Sequence, residues 1–142
     1  MKQEDKELLI KDLCARLNTN LVCSIYRTDD YGVGYRDEIL SGYCKGDIWN
    51  EFYFGDDCGI GIDNVSKIKP YLFPLSSMTE EQKEEYRKVC ELDTEILSKH
   101  PMDGTPFPAL YYSQDWLNKN HFDYRGLIPM GLAIDATGLN IY

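Results

Sequence analysis

The sequence predicts an α+β fold, a two-layer domain in which a small antiparallel sheet packs against about three helices. Apolar residues recur at helical spacing near the N-terminus and again after Thr79. Between these segments, short runs alternate apolar and polar residues and are separated by Gly and Asp. No repeat, linker or low-complexity tract interrupts the 142 residues, so we expect a single domain over residues 1–142.

The first predicted element is an amphipathic helix from Lys2 to Leu17. Apolar residues at helical spacing mark one of its faces, and charged residues cover the other. The apolar face comprises Leu9, Ile10, Leu13, Cys14 and Leu17, and the charged face comprises Lys6, Glu7, Lys11 and Asp12. We therefore expect Asp12 to point to solvent.

Short strands are predicted to follow this helix. They combine β-branched and aromatic residues with alternation, and Gly46-Asp47 is a turn that joins two of them into an antiparallel hairpin. Residues 28–34 are expected to form a loop. The strands are predicted at 21–27, 36–45, 48–54 and, after a second loop, 60–62.

The middle of the chain is predicted to be an irregular segment followed by a helix. Two prolines interrupt residues 65–78, which should lie along the core. Thr79-Glu80-Glu81-Gln82 has the pattern of a capping box, and the helix it opens continues to Ser98 or breaks near Asp93. Residues 99–108 hold three prolines and are expected to form a loop.

The stretch from Gln114 to Ala133 is the densest in aromatic and charged side chains. Ser113 is a suitable N-cap for a helix over 114–120, which would close an edge or an end of the sheet. One interpretation of the stretch is a ligand pocket lined by Trp116, His121, Asp123, Tyr124 and Arg125. The other is an aromatic core corner in which Asp123 and Arg125 fix a turn. The second is favoured, because aromatic residues with interleaved polar groups usually pack.

The C-terminal residues complete the predicted sheet. From Gly131 we expect a strand, a turn at Thr137-Gly138 and a short return. The sheet would pack on the first helix and on the helix over 79–97.

The net charge of −9 limits the classes of partner. It argues against direct nucleic-acid binding and against anionic membrane surfaces, both of which need clustered Lys and Arg. It permits a basic protein partner, although acidity also serves solubility alone. The eleven Tyr suit both core packing and protein contact surfaces.

The five cysteines are widely scattered and form no CxxC pair. No signal peptide precedes them, and no apolar run is long enough to span a bilayer. We therefore expect reduced thiols in a cytoplasmic protein. The residues are Cys14, Cys23, Cys44, Cys58 and Cys90.

No motif of known mechanism is present, so we predict no catalytic residues, metal or cofactor. The acids around Cys58 lack the spacing of a calcium loop, and the two histidines are too few for a zinc site. A triad of Cys58, His121 and Asp123 would need the fold to assemble it, and neighbouring carboxylates would raise the thiol pKa. The Gly pairs at 32–34 and 59–61 lack the Lys or helix that would cradle a phosphate.

Two motifs carry a family resemblance. They are Ile68-Lys69-Pro70-Tyr71-Leu72 with Ser76-Ser77-Met78-Thr79-Glu80-Glu81, and Asp115-Trp116-Leu117-Asn118 with His121-Phe122-Asp123-Tyr124-Arg125-Gly126-Leu127-Ile128. With them, about two thirds of the chain resembles a family of small uncharacterised proteins from gut Bacteroidales and their phages and mobile elements. Residues 90–112 depart from the family pattern. The resemblance implies a cytosolic accessory or phage-encoded protein and carries no activity.

Taken together, these patterns predict a non-catalytic, acidic protein-interaction module. Its partner surface is expected at Asp56, Asp57, Phe107, Tyr111 and Tyr112. One alternative is a small-ligand or enzymatic pocket around Trp116 to Arg125. Another is an acidic inhibitor that covers the basic face of a nucleic-acid enzyme.

Overall fold

The computed structural model describes residues 1–29, 32–46, 50–55, 58–99 and 112–142, without the side chains of residues 29, 58, 97 and 99. These residues form an α+β fold, as predicted. The helices are α1 (Gln3–Ala15), α2 (Glu80–Lys99) and α3 (Tyr112–Lys119), with 3₁₀ helices at Ile62–Lys67 and Leu75–Ser77. The strands are β1 (Val22–Asp29), β2 (Gly32–Lys45), β3 (Asn50–Phe54), β4 (Cys58–Gly61), β5 (Ile68–Pro74), β6 (Phe122–Asp123) and β7 (Ile134–Asp135).

The described strands form a seven-stranded, mostly antiparallel sheet, which is larger than predicted. The strand order is β4-β3-β2-β1-β5-β6, and β7 also pairs with β5. The last two strands contribute two residues each and run parallel to β5. The predicted C-terminal strand is therefore reduced to β7, and the residues after it form turns.

Alternation along the strands gives the sheet a core face and an open face. Leu9 and Leu13 of α1 belong to the same buried cluster as Ile25, Leu40 and Phe52, so α1 covers the core face. A bulge between Leu40 and Gly42 shifts the register of β2 against β3. Because of this shift, Leu40 and Tyr43 both pack toward the core.

The prediction of irregular structure over residues 65–78 is wrong. The segment contains β5, and Pro70 lies opposite Cys23 of β1. An antiparallel ladder tolerates a proline at a pair that exchanges no hydrogen bonds, so the missing N–H does not exclude a strand.

The capping box at the start of α2 is confirmed. The Thr79 N–H donates to Gln82 Oε1 at 2.9 Å, and the Gln82 N–H donates to Thr79 Oγ1 at 3.2 Å. The helix continues through Asp93 to Lys99.

The predicted N-cap of α3 is wrong, because α3 begins at Tyr112 and not after Ser113. The Asp93 carboxylate of α2 accepts the N–H groups of both residues, each at 2.9 Å. Although burial raises the pKa of Asp93, the hydrogen bonds from the Ser113 side chain and from the two N–H groups lower it below its ordinary value. One helix therefore caps the next. None of the described helices combines the length and apolar character that a bilayer crossing requires.

Candidate functional site

Trp116 of α3 is a packing residue between α2 and β6. Its ring lies 5.5 Å from that of Tyr86 and stacks on Phe122 at 5.7 Å with an interplanar angle of 9°. Such ring contacts hold the α2–α3 pair against the sheet edge.

Asp12 of α1 and Arg16, the residue that caps the end of this helix, form a fully buried ion pair beneath the predicted pocket. Arg16 Nε donates to Asp12 Oδ2 at 2.8 Å, and Arg16 Nη2 donates to the Phe122 carbonyl at 2.8 Å. Arg125 Nη1 also donates to the Asp12 carboxylate, at 3.2 Å. The expectation that Asp12 faces solvent is therefore wrong. The helical spacing of Leu9, Asp12 and Arg16 on one stripe is the sequence signal that could have found this pair.

The guanidinium groups of Arg16 and Arg125 both lie over the Tyr124 ring. Arg125 Cζ lies 4.6 Å and Arg16 Cζ 5.5 Å from the ring centroid. At the other end of the ring, Gln114 Nε2 donates to the Tyr124 hydroxyl at 3.0 Å. Cation–π contacts and this hydrogen bond thus orient Tyr124 from three sides.

Asp123 fixes the turn that follows β6. Its carboxylate accepts the N–H groups of Leu127 and Ile128, both at 2.8 Å. Gly126 has φ of 74°, a left-handed conformation that glycine adopts without strain. The Asp123 carboxylate therefore acts on the backbone of its own segment, as the core-corner interpretation expects.

His121 is buried against the C-terminal residue. Its ring stacks on Tyr142 with centroids 4.0 Å apart, and Nδ1 has no hydrogen-bond partner among the described residues. Tyr142 in turn accepts the Val22 N–H at 3.3 Å and donates to the Tyr71 carbonyl at 2.7 Å. Burial first, and the nearby Arg16 charge second, lower the pKa of His121 to about 4. The imidazole is therefore neutral at pH 7.

The five predicted pocket residues thus each have partners within the protein. Trp116 packs on α2 and Phe122, His121 on Tyr142, and Asp123 binds the backbone of its own turn, while Tyr124 and Arg125 contact each other. A cleft of about 180 Å³ beside β6 has none of the five in its lining, which comprises Phe73, Ser77, Gln82, Phe122, Thr137 and Gly138. These contacts favour the structural interpretation of the stretch.

Most of the predicted partner surface lies outside the described residues. This applies to Asp56, Asp57, Phe107 and Tyr111, whereas Tyr112 begins α3 and is exposed. The side chain of Cys58 also lies outside the description, so the triad has only His121 and Asp123 placed, each with the contacts above. Within the described ranges, no three Cys, His, Asp or Glu side chains cluster as a metal ion would require.

One side of the sheet presents four exposed apolar side chains, and we call these four residues the open face. They are Val33 (67% exposed), Tyr35 (66%), Ile39 (49%) and Tyr53 (37%). Tyr35 also meets Tyr26 of β1 edge-to-face at 5.2 Å. This surface was not predicted from the sequence, because Val33 was assigned to a loop and the strand was expected to begin at Arg36. The alternation of Val33, Tyr35 and Ile39 was the available signal.

The described residues define an α+β protein whose sheet is covered by α1 on one side and exposes apolar side chains of β2 and β3 on the other. No family model, curated protein or solved structure matches the chain.

Proposed function

We propose that this chain is a non-catalytic, cytoplasmic protein-interaction module that binds its partner through the open face. The carrying observation is the solvent exposure of Val33, Tyr35, Ile39 and Tyr53 on one side of one sheet. Exposed apolar side chains that share a rigid surface are typical of protein contact sites, and Tyr is enriched in the residues that dominate binding energy. A sheet also holds these side chains in place before binding, which lowers the entropic cost of association.

The charges around the open face favour a basic partner. Asp37 and Glu51 share this side of the sheet, with Asp37 exposed and Glu51 half-buried, whereas Lys69 is the neighbouring cation on β5. The Asp37 carboxylate accepts the Tyr71 hydroxyl at 3.0 Å, which holds it in one orientation. With a net charge of −9, the chain would attract a partner surface that has an apolar centre bordered by Lys and Arg.

The non-catalytic part of the proposal rests on the polar groups of the Trp116–Arg125 segment. The Asp123 carboxylate is engaged by two backbone N–H groups and Arg125 by the Asp12 carboxylate, while the His121 ring is buried in a stack with Tyr142. The scattered cysteines, with no CxxC pair, and the family resemblance support a cytoplasmic setting.

A comparative pull-down tests the proposal. The tagged wild-type chain, a Tyr35→Thr/Ile39→Thr variant and a Met130→Thr/Leu139→Thr variant would each be incubated with a Bacteroidales lysate treated with nuclease. The control pair is also apolar and exposed but lies outside the sheet. We expect a protein that the wild type and the control retain, that the open-face variant loses, and that elutes at high salt. Equal retention by all three chains would refute the role of the open face.

A further inference from the structure

We infer that a cleft between β1 and β4 accepts an extended, acidic peptide segment, which adds a strand to the free edge of β1. The lining includes none of the four open-face residues, although Tyr26 packs on Tyr35, so the site goes beyond the function proposed above. The cleft has a volume of about 200 Å³. Its lining comprises Tyr26, Arg27 and Thr28 of β1, Gly59, Ile60 and Gly61 of β4, and Asn64 and Lys67 of the 3₁₀ helix.

The free edge arises where the chain leaves the sheet. The ladder between β1 and β5 pairs residues 23–25 with 68–70 and ends at Ile25 and Ile68. Before Ile68, the chain runs in the 3₁₀ helix Ile62–Lys67. β5 therefore does not pair with the last residues of β1, and this edge of β1 is open to another strand.

The alternation of backbone groups shows which residues of β1 point their N–H and C=O groups to this unpaired edge. The Leu21 carbonyl accepts the Leu40 N–H from β2, and the Val22 N–H points the other way, to Tyr142, which is bonded to β5. Because backbone groups alternate along a strand, Tyr26 and Thr28 also point to the β5 side. No backbone hydrogen bond from another described loop or helix reaches either residue. They offer N–H and C=O groups to an added strand.

The opposite wall of the cleft is a second strand edge. β4 is the terminal strand of the sheet, and β3 pairs with only one of its sides. Gly61 has extended backbone angles, and a Cβ at this position would meet no atom within 4 Å. The cleft therefore leaves room for a backbone to approach between two strand edges, which is the geometry of β-strand addition.

The wall formed by the 3₁₀ helix favours an acidic side chain in the added strand. Lys67 is exposed and has no ion-pair partner among the described residues, whereas Arg27 is paired with Glu38 at 2.7 Å. The Glu51 carboxylate lies against Gly59 on the β4 wall, so the acidic side chains of the added strand face Lys67 and not β4. In a chain of net charge −9, this cleft thus presents a cation next to a hydrogen-bonding edge. A strand that carries Asp or Glu beside Lys67 gains both contacts.

Nuclear magnetic resonance of the ¹⁵N-labelled full chain tests the site with two blocked hexapeptides, acetyl-(Val-Glu)₃-amide and acetyl-(Val-Lys)₃-amide. We expect the acidic peptide to shift the amide signals of Tyr26, Thr28, Gly59 and Gly61 and to slow hydrogen exchange at Tyr26 and Thr28. In the free protein, these two amides should exchange faster than those of Ile25 and Arg27, which face β2.

Two charge variants and one backbone variant complete the design. Lys67→Glu should weaken binding of the acidic peptide by about fivefold, whereas Lys69→Glu on β5 should not. Thr28→Pro removes one edge donor and should weaken binding while the dispersion of the other signals is kept. Protection of Tyr26 and Thr28 in the free protein, absence of shifts at the cleft, or equal binding of the two peptides would each overturn the inference.

Discussion

Arg16 Nε lies 2.8 Å from Asp12 Oδ2, and neither side chain exposes any surface to solvent. Arg125 shares the same carboxylate from the other end of the chain, and Arg16 also binds two backbone carbonyls, those of Asn118 and Phe122. The pair thus joins α1 to the segment around β6. Because the pair is buried, the Arg125 charge of this segment is compensated by the Asp12 carboxylate of α1 and not by solvent.

Removing one partner of this pair should destabilise the protein strongly. Arg16→Leu leaves a buried carboxylate with Arg125 as its remaining cation, and the expected loss is about 3–5 kcal/mol in the free energy of unfolding. Urea denaturation followed by circular dichroism measures it. Lys6→Met is the control on the same helix, because Lys6 pairs with a carboxylate, Asp63, that is 90% exposed, and such a pair should contribute about 0–1 kcal/mol. Equal losses in the two variants would contradict the central place of the buried pair.

His121 should make stability depend on pH. Its pKa is about 4 in the folded chain and 6.5 in its ordinary state, so the unfolded chain binds more protons between these values. The free energy of unfolding should therefore fall by roughly 3 kcal/mol as the pH drops from about 6.5 to 4, beyond the contribution of other groups.

His121→Asn isolates this contribution. The φ of His121 is 58°, and Asn tolerates the left-handed region better than most residues. Denaturation curves at several pH values should show a shallower acid dependence for the variant, since it lacks the titrating ring. A variant with the wild-type slope would show that His121 does not titrate as a buried neutral base.

Replacing Asp123 should lower the free energy of unfolding. Asp123→Ala leaves the Leu127 and Ile128 N–H groups without their acceptor, and the expected cost is roughly 2–4 kcal/mol. Asp135 offers a matched control, because its exposed carboxylate accepts the Thr137 N–H at 2.9 Å. Asp135→Ala should cost less than about 1 kcal/mol, since water replaces an exposed hydrogen bond. If thermal unfolding were unchanged by Asp123→Ala, the ligand-pocket interpretation would regain weight.

Open-face residues should contribute little to folding. Tyr35→Thr and Ile39→Thr keep strand-forming side chains and should each change the free energy of unfolding by less than about 1 kcal/mol. Ile25→Ala, on the core face of the neighbouring strand, should cost about 2–5 kcal/mol. Comparable losses on both faces, measured by urea denaturation, would indicate that the open face is part of the core.

The elements that depend on local pattern were predictable from the sequence, and those that depend on distant partners were not. The capping box of Thr79 and Gln82 is local, and so is the alternation of β1 and β3. Three features required the fold: the pairing of Pro70 with Cys23, the cap that Asp93 supplies to α3, and the partners of Asp12. In each case the deciding contact joins residues that are separated in sequence.

The same distinction applies to the candidate sites. The aromatic and charged density of the Trp116–Arg125 segment was visible, but its burial depended on α1 and on Tyr142. The open face was hidden because Gly32 and Gly34 resemble loop residues, although they lie within β2. Glycines at a hairpin end weaken the strand signal without preventing pairing.

Site-specific photocrosslinking tests the interaction through the open face most directly. Benzoylphenylalanine would replace Tyr35 in one chain and Met130 in another, and both chains would be irradiated in a Bacteroidales lysate and examined by mass spectrometry. The proposal predicts one protein crosslinked from position 35 and not from position 130, and an excess of unlabelled wild type, but not of Tyr35→Thr/Ile39→Thr, should suppress the product. The same products from both positions, or none from position 35, would contradict it.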